Sequence, residues 1–360
     1  MYSFSNVEEK EQEKEEELMK RKGMNYDVGS ELGGFVSRPH FEMEVVHREL
    51  EIIKQDLHCN AVRISGLDLD RLMVTAEDAL KQGLEVWLSP QMTEHGKPET
   101  LDYIVHCATV AETLRQSWPH LVFILGSELT LFMQGILEGQ SLFERLANPA
   151  FLEQIQSGRH NPPLNTFLRS ANEATRQVFA GQVTYASAYL EAVDWSLFDF
   201  VCLDYYRDRR IKETFVERLG PCFTHGKPVL ITEVGCCTYQ GAEDAGRMGW
   251  AIVDYRTNPP KQLKGSYVRD EAVQARELTE VLGLLEGTGV EGAFVFTFVS
   301  PMATWNADPR YDLDMASYSL VKSYADRHGT TYPDMPWEPK ESFKAVARFF
   351  ATHEANAGQI

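Results

Sequence analysis

Two glutamates stand directly after short apolar runs of the sequence. Glu128 ends the segment FILGSE, and Glu233 lies within PVLITEVG. A carboxylate at the end of a buried run needs water, a cation or hydrogen-bond donors to remain there. Two such carboxyls can divide a reaction between them, because one donates a proton while the other attacks or activates water. Cleavage of a glycosidic bond needs this division, so Glu128 and Glu233 are the candidate catalytic pair.

Other polar and aromatic side chains follow further apolar runs, where we expect them to contact a substrate. Arg63 has a second possible role, since a guanidinium beside a carboxyl keeps that carboxyl ionised. A plainer alternative is that the two glutamates are structural and form ion pairs with Arg63 and Arg207. The predicted substrate-binding residues are Tyr26, Asp27, Arg63, Ser127, Asp204, Tyr205, Tyr206 and Trp305.

Eight apolar runs recur along the chain, too short for helices and rich in Val, Ile and aromatic residues. They cover residues 23–28, 60–65, 84–89, 121–126, 182–186, 200–205, 228–232 and 292–298. Such runs are typical of buried parallel strands. Segments with helical periodicity lie between them, over residues 43–57, 70–82, 100–116 and 270–286. Eight alternating units predict an α/β fold, a (β/α)₈ TIM barrel, whose active site lies at the carboxyl ends of the strands. The alternative, a doubly wound sheet, lacks the G-x-G-x-x-G or P-loop of its usual nucleotide chemistry.

The domain organisation follows from the same pattern. We predict an acidic N-terminal arm over residues 1–22, one catalytic barrel domain over residues 23–350 and a C-terminal tail over residues 351–360. Two connections are long, residues 134–163 after the fourth strand and residues 234–269 after the seventh. The pair Pro162-Pro163 predicts a break in the first of them. Long connections at the carboxyl ends of barrel strands usually shape a substrate cleft.

The ordered set of motifs over residues 23–300 resembles the clan A glycoside hydrolases. The resemblance implies an acid/base at Glu128 after strand four and a nucleophile at Glu233 after strand seven. It also implies that Arg63, in AVRISG, is the family's strand-two arginine. The tyrosine that hydrogen-bonds the nucleophile matches Tyr205 or Tyr206 in LDYYRD. The chain also resembles uncharacterised bacterial barrel proteins with an NYDxG-type first strand.

The sequence departs from that family at two places. Ser127 stands where the family has the Asn that contacts the sugar 2-hydroxyl. The eighth strand lacks the usual Trp near its end, and Trp305 in the following loop is the candidate sugar platform. These departures leave hydrolysis plausible and count against the usual glucan or mannan substrates.

Composition restricts the remaining function classes. The 360 residues carry a net charge of −18, and no basic stripe is present, so we expect no nucleic-acid partner. No apolar run approaches the ~20 residues that span a bilayer, and the N-terminus lacks a secretion signal, so we expect no membrane partner. The six cysteines form no C-x-x-C pair. We expect a cytoplasmic protein with reduced thiols, no cofactor and no metal; the sequence does not determine the oligomeric state.

The leading hypothesis is a retaining O-glycoside hydrolase or transglycosidase that acts on a small glycoside or glycosylated metabolite. The alternatives are a metal-assisted or acid–base isomerase or lyase that uses carboxylates such as Asp27 and Asp204, and a non-catalytic barrel that binds a sugar or a protein. Under the leading hypothesis we expect Tyr26, Arg63, Glu128, Tyr205 and Glu233 to open into one cavity. We also expect Arg63 to lower the pKa of Glu233, and the pKa of Glu128 to be raised.

Overall fold

The computed structural model describes residues 18–257 and 259–357 and shows a closed barrel of eight parallel strands. Each strand pairs with its neighbours in sequence, and the first pairs with the last, which confirms the predicted (β/α)₈ fold. Residues 1–17, which make up most of the predicted acidic arm, lie outside the described residues. The strands are β1 Arg21–Asp27, β2 Ala61–Gly66, β3 Glu85–Pro90, β4 Val122–Ser127, β5 Gln182–Ala188, β6 Val201–Asp204, β7 Val229–Val234 and β8 Gly292–Val295.

Among residues 18–257 and 259–357, six long helices surround the barrel, and four of them match the periodic segments of the sequence. Each of α1, α2 and α5 has a stripe of buried apolar side chains that faces the strands, as an amphipathic helix requires. The helices are α1 Met43–Gln55, α2 Leu69–Lys81, α3 Lys97–Arg115, α4 Asn161–Val178, α5 Glu271–Glu286 and α6 Glu341–Ala357. No helix in the described part of the chain is both long and apolar enough to cross a membrane.

The prediction of a break at Pro162-Pro163 is wrong. Both prolines lie in the first turn of α4, which begins at Asn161. The first turn tolerates proline because its N–H groups have no partner within the helix. The connection between β4 and α4 contains three short helices, Leu129–Phe132, Leu142–Ala147 and Phe151–Gln156.

The chain continues beyond β8 in a way that the periodicity did not predict. After β8, a 3₁₀ turn at Leu313–Ala316 leads to a hairpin of Val321–Ser323 and Trp337–Pro339, and then to α6. The strand itself ends at Val295, shorter than the predicted 292–298. The Trp337 indole donates to the Glu49 carboxylate at 2.8 Å, so the hairpin is fixed against α1.

The barrel interior changes from apolar to polar along its axis. One end is filled by a separate apolar cluster that includes Trp87, Phe200 and Phe294. Because side chains of a strand alternate between its two faces, residues two positions further along point into the same interior. Two such positions carry charge, Arg63 after Ala61 and Asp204 after Cys202, and both side chains are buried. The sequence of the strands therefore places a charged layer directly above the apolar one, next to the barrel mouth.

Candidate active site

The charged layer at the mouth is organised around Arg63. Its guanidinium donates to Glu233 Oε1 at 2.9 Å and to Asp204 Oδ1 at 3.4 Å. The Ser127 hydroxyl donates to the other oxygen of Asp204 at 2.8 Å. Residues from β2, β4, β6 and β7 thus form one hydrogen-bonded set that fixes the Glu233 carboxylate.

Tyr206 holds the second oxygen of that carboxylate. Its hydroxyl donates to Glu233 Oε2 at 2.8 Å, and its ring packs on the edge of Tyr318 at 5.5 Å between centroids. Glu233 therefore accepts one hydrogen bond at each oxygen, from a cation and from a phenol. This arrangement orients the carboxylate and leaves it open towards the mouth.

Glu128 is presented by a strained backbone at the end of β4. Its φ is 47°, in the left-handed region that non-glycine residues seldom occupy. Strain of this kind persists only where the surroundings enforce it. The Glu128 N–H donates to Ala186 O at 2.9 Å, and the next N–H, of Leu129, donates to the Tyr185 hydroxyl at 2.7 Å. Glu191 accepts hydrogen bonds from that hydroxyl and from the N–H of Thr130, so β5 and its loop fix the conformation.

Arg247 forms an ion pair with Glu128 Oε1. It belongs to the 3₁₀ helix Gly246–Ile252 in the connection after β7. The sequence pattern did not identify this residue, because the connection has no periodicity that would assign a direction to its side chains. Arg247 thus brings a second guanidinium to the mouth, next to Glu128, which the resemblance predicts to be the acid/base.

Burial dominates the protonation of the two glutamates. It raises the pKa of Glu233 to about 8, and the nearby charge of Asp204 acts in the same direction against Arg63. It also raises the pKa of Glu128 to about 7, with Arg247 acting in the opposite direction. The expectation that Arg63 lowers the pKa of Glu233 below its usual value is therefore wrong, because the cost of desolvation exceeds the attraction of one guanidinium. The raised pKa of Glu128 agrees with the expectation.

The two glutamates open into one cavity of about 600 Å³ at the carboxyl ends of the strands. Ligand sites for small molecules commonly have this volume. Asp27 also lines the cavity, and its Oδ1 accepts from the Ser30 hydroxyl at 2.9 Å. Arg63 and Asp204 lie beneath the cavity and support it. Of the predicted residues, the structure brings these to the cavity wall: Asp27, Ser127, Glu128, Tyr206 and Glu233.

Three predicted residues lie away from the cavity. Tyr26 points outward from β1, and its hydroxyl contacts the Glu49 carboxylate at 2.5 Å under α1. Tyr205 stacks on Phe215 at 4.6 Å between centroids and donates to its backbone carbonyl. Trp305 packs against Tyr324 and lies under the guanidinium of Arg327. We expected one cavity to be shared by Tyr26, Arg63, Glu128, Tyr205 and Glu233. The two glutamates line it and Arg63 lies directly below it, but Tyr26 and Tyr205 do not reach it.

Comparison with known proteins identifies the fold. Neither a family model nor a curated protein sequence matches this chain. A family 113 β-1,4-mannanase superposes with a TM-score of 0.59 at 13% identity, over 93% of this chain and 99% of that one. The family 113 β-mannanase of Alicyclobacillus acidocaldarius gives 0.57 at 16% identity, over 94% and 99%. A family 5 glycoside hydrolase of Prevotella bryantii gives 0.55 at 12% identity, over 92% and 96%. The chain thus has the barrel fold of these glycoside hydrolases, which confirms the predicted resemblance in fold.

Proposed function

We propose that the protein is a retaining O-glycoside hydrolase or transglycosidase that acts on a small glycoside or glycosylated metabolite. The observation that carries the proposal is a pair of glutamates, Glu128 buried directly after β4 and Glu233 half-buried on β7, which open into one cavity and are held by separate guanidiniums. The shared fold with glycoside hydrolases supports it.

Glu233 is the proposed nucleophile. A carboxylate attacks best when it is ionised and fixed, and Glu233 accepts hydrogen bonds from both Arg63 and Tyr206. Its attack on the anomeric carbon would form a glycosyl ester as the bond to the leaving oxygen breaks. Loss of negative charge from Glu233 in that step also relieves its repulsion with Asp204.

Glu128 is the proposed acid/base. Each carboxyl disfavours ionisation of the other, so the pair loses its two protons in separate steps and holds one proton near neutral pH. Burial raises the pKa of Glu233 further than that of Glu128, which by itself would favour the proton on Glu233. We nevertheless place the proton of the reactive form on Glu128, because Glu233 accepts hydrogen bonds from Arg63 and Tyr206 that favour its anion, whereas the described residues offer the Glu128 carboxyl one cation, Arg247. Glu128 would protonate the leaving oxygen, and its carboxylate would then take a proton from the incoming water or alcohol.

The rival isomerase or lyase would need a metal ion or a different proton path among the same carboxylates. Two guanidiniums already neutralise charge there, Arg63 between Asp204 and Glu233, and Arg247 at Glu128. Because guanidiniums already occupy the space between these carboxylates, the arrangement favours a glycosidase over a metal-assisted enzyme. We further propose a cytoplasmic role in carbohydrate metabolism, which the burial of five of the six cysteines supports.

A panel of 4-nitrophenyl glycosides that differ in sugar and anomer tests the proposal. We expect hydrolysis of at least one, unchanged by a chelator, with the product first released in the anomeric configuration of the substrate, as followed by proton NMR. Release of the opposite anomer would contradict the retaining mechanism. Loss of activity with chelator would favour the metal-assisted alternative. Binding without turnover of any glycoside would favour a sugar-binding barrel.

A further inference from the structure

One side of the cavity is an apolar wall built from three connections. A hairpin after β1, formed by Glu31–Leu32 and Phe35–Val36, gives Leu32. The short helix Leu142–Ala147 gives Leu142, Phe143 and Leu146, and the connection after β7 gives Trp250 and Tyr255. These six residues are called the apolar wall below. None of them belongs to the hydrogen-bonded set around the two glutamates.

The apolar wall is a packed unit. The rings of Phe143 and Tyr255 lie 4.9 Å apart between centroids, those of Trp250 and Tyr255 lie 5.7 Å apart, and Phe143 meets the edge of Trp250 at 6.3 Å. The Glu94 carboxylate ties two of the connections together, since it accepts from Leu142 N at 2.9 Å and from Gly33 N at 3.1 Å. Yet Tyr255 stays 39% exposed, and Phe143 and Trp250 are only half-buried. Aromatic surface of this kind, fixed and left open to a cavity, is typical of a ligand contact.

The position of the apolar wall relates it to the leaving group. The connection that carries Phe143 also begins with Glu128, and Trp250 shares its 3₁₀ helix with Arg247, the partner of Glu128. An acid/base residue lies beside the oxygen that departs, so the group attached to that oxygen extends along the same side of the cavity.

The chemistry of the apolar wall distinguishes between two kinds of leaving group. A second sugar would bring several hydroxyls that need hydrogen-bond partners, and burying them unpaired is costly. Across the apolar wall the side chains offer only the Trp250 indole N–H and the Tyr255 hydroxyl. From this we infer that the natural substrate is a glycoside of an apolar alkyl or aryl alcohol rather than an oligosaccharide. This inference rests on the proposed function and specifies its substrate class.

Alkyl glycosides of the sugar found with the 4-nitrophenyl panel test the inference. We would compare the methyl, butyl and octyl glycosides with the disaccharide of that sugar. Each methylene buried against the apolar wall should raise kcat/KM about fourfold, until the wall is covered. Phe143→Ser and Trp250→Ser, on separate connections, should each lower kcat/KM for the octyl glycoside at least tenfold more than for the methyl glycoside. Leu152→Ser is the matched control, since Leu152 is 66% exposed and outside the cavity wall. Equal kcat/KM for methyl and octyl glycosides, or faster cleavage of the disaccharide, would overturn the inference.

A second measurement keeps this test separate from that of the proposed function. The neutral fluorescent dye N-phenyl-1-naphthylamine reports apolar binding without any turnover. We expect the dye to bind the wild-type protein and the Leu152→Ser variant, and to bind both wall variants at least fivefold more weakly. If no glycoside is cleaved but this pattern holds, the proposed function fails while the apolar wall remains a binding surface. Equal binding of the dye by all four proteins would overturn the apolar site itself.

Discussion

The two ends of the barrel carry similar charged groups in opposite settings. At the amino ends of the strands, Arg21 donates to Glu85 at 2.7 Å and to Glu291 at 2.9 Å, with both carboxylates 27% exposed. The guanidinium also covers the rings of Trp87 and Phe200, which close that end. At the carboxyl ends, Arg63 likewise holds two carboxylates, but its side chain and that of Asp204 are about 1% exposed or less.

The difference lies in what surrounds the charges. At the closed end, solvent screens the ion pairs and an apolar layer lies beneath them, so they cover the core at little cost. At the mouth, buried carboxylates outnumber the guanidiniums and border a cavity, so ionising every carboxylate is unfavourable. One end of the barrel holds screened ion pairs over an apolar layer, and the other holds carboxyls with a raised pKa, which the proposed reaction would use.

The largest expected effect is a difference in kcat between two variants, each of which removes a carboxylate from one end of the barrel. Glu233→Gln should lower kcat by on the order of 10⁴-fold or more, since an amide cannot form the glycosyl ester. Glu85→Gln, which also removes a carboxylate held by an arginine, should leave kcat within about twofold. Steady-state kinetics with the accepted aryl glycoside gives both values. Similar losses in the two variants would remove the functional distinction between the ends.

The next effect concerns the leaving group. Glu128→Ala should slow glycosides of poor leaving groups by roughly 10²–10⁴-fold and affect activated aryl glycosides much less, because only the former need protonation. Azide should partly restore turnover by attacking the glycosyl-enzyme, and the product should be a glycosyl azide of retained configuration. A uniform loss across leaving groups, with no azide product, would contradict the acid/base role of Glu128.

At the closed end of the barrel, a substitution should change the stability of the protein rather than its activity. Trp87 is fully buried against Phe200 and Phe294, so Trp87→Ala should lower the free energy of unfolding by about 3–5 kcal/mol. Denaturant unfolding followed by circular dichroism measures this change. In the folded fraction we expect kcat within about threefold of the wild type. A specific collapse of kcat in folded protein would mean that the two ends are not independent.

The smallest effect is a shift along the pH axis. Activity requires one proton on the pair, so kcat/KM should be bell-shaped, and because burial raises the pKa of both carboxyls, both limbs should lie at higher pH than the usual pKa of a glutamate. Arg247 lowers the pKa of Glu128, and its removal in Arg247→Met should raise that pKa and move the basic limb to higher pH. Arg176→Met is the control, since Arg176 pairs with Asp199 away from the cavity. A shift to lower pH, or the same shift in both variants, would contradict the pairing.

The parts of this architecture that could be predicted are those that leave a pattern in neighbouring residues of the sequence. The eight strands and four of the helices follow from residue periodicity, which is set by the geometry of each element. Glu128 and Glu233 were found because strand ends of a parallel barrel meet at one face. The helix at residues 341–357 was not predicted, because its place depends on packing against the finished barrel.

The choice between adjacent residues was decided by tertiary structure alone. The pairs Tyr26 and Asp27, and Tyr205 and Tyr206, each offered two candidates, and in each pair the second residue reaches the cavity. A one-residue change of register exchanges the two faces of a strand, and neighbouring strands set that register.

The sequence by itself determined the barrel, the end of the barrel that carries the cavity, and the two glutamates there, because these follow from short-range patterns repeated along the chain. Only the tertiary structure decided that Arg247 pairs with Glu128, that Trp305 lies away from the cavity, and that burial outweighs Arg63 in setting the pKa of Glu233. Those facts depend on distances between residues far apart in the chain and on the water that the folded structure excludes, and neither quantity is encoded locally.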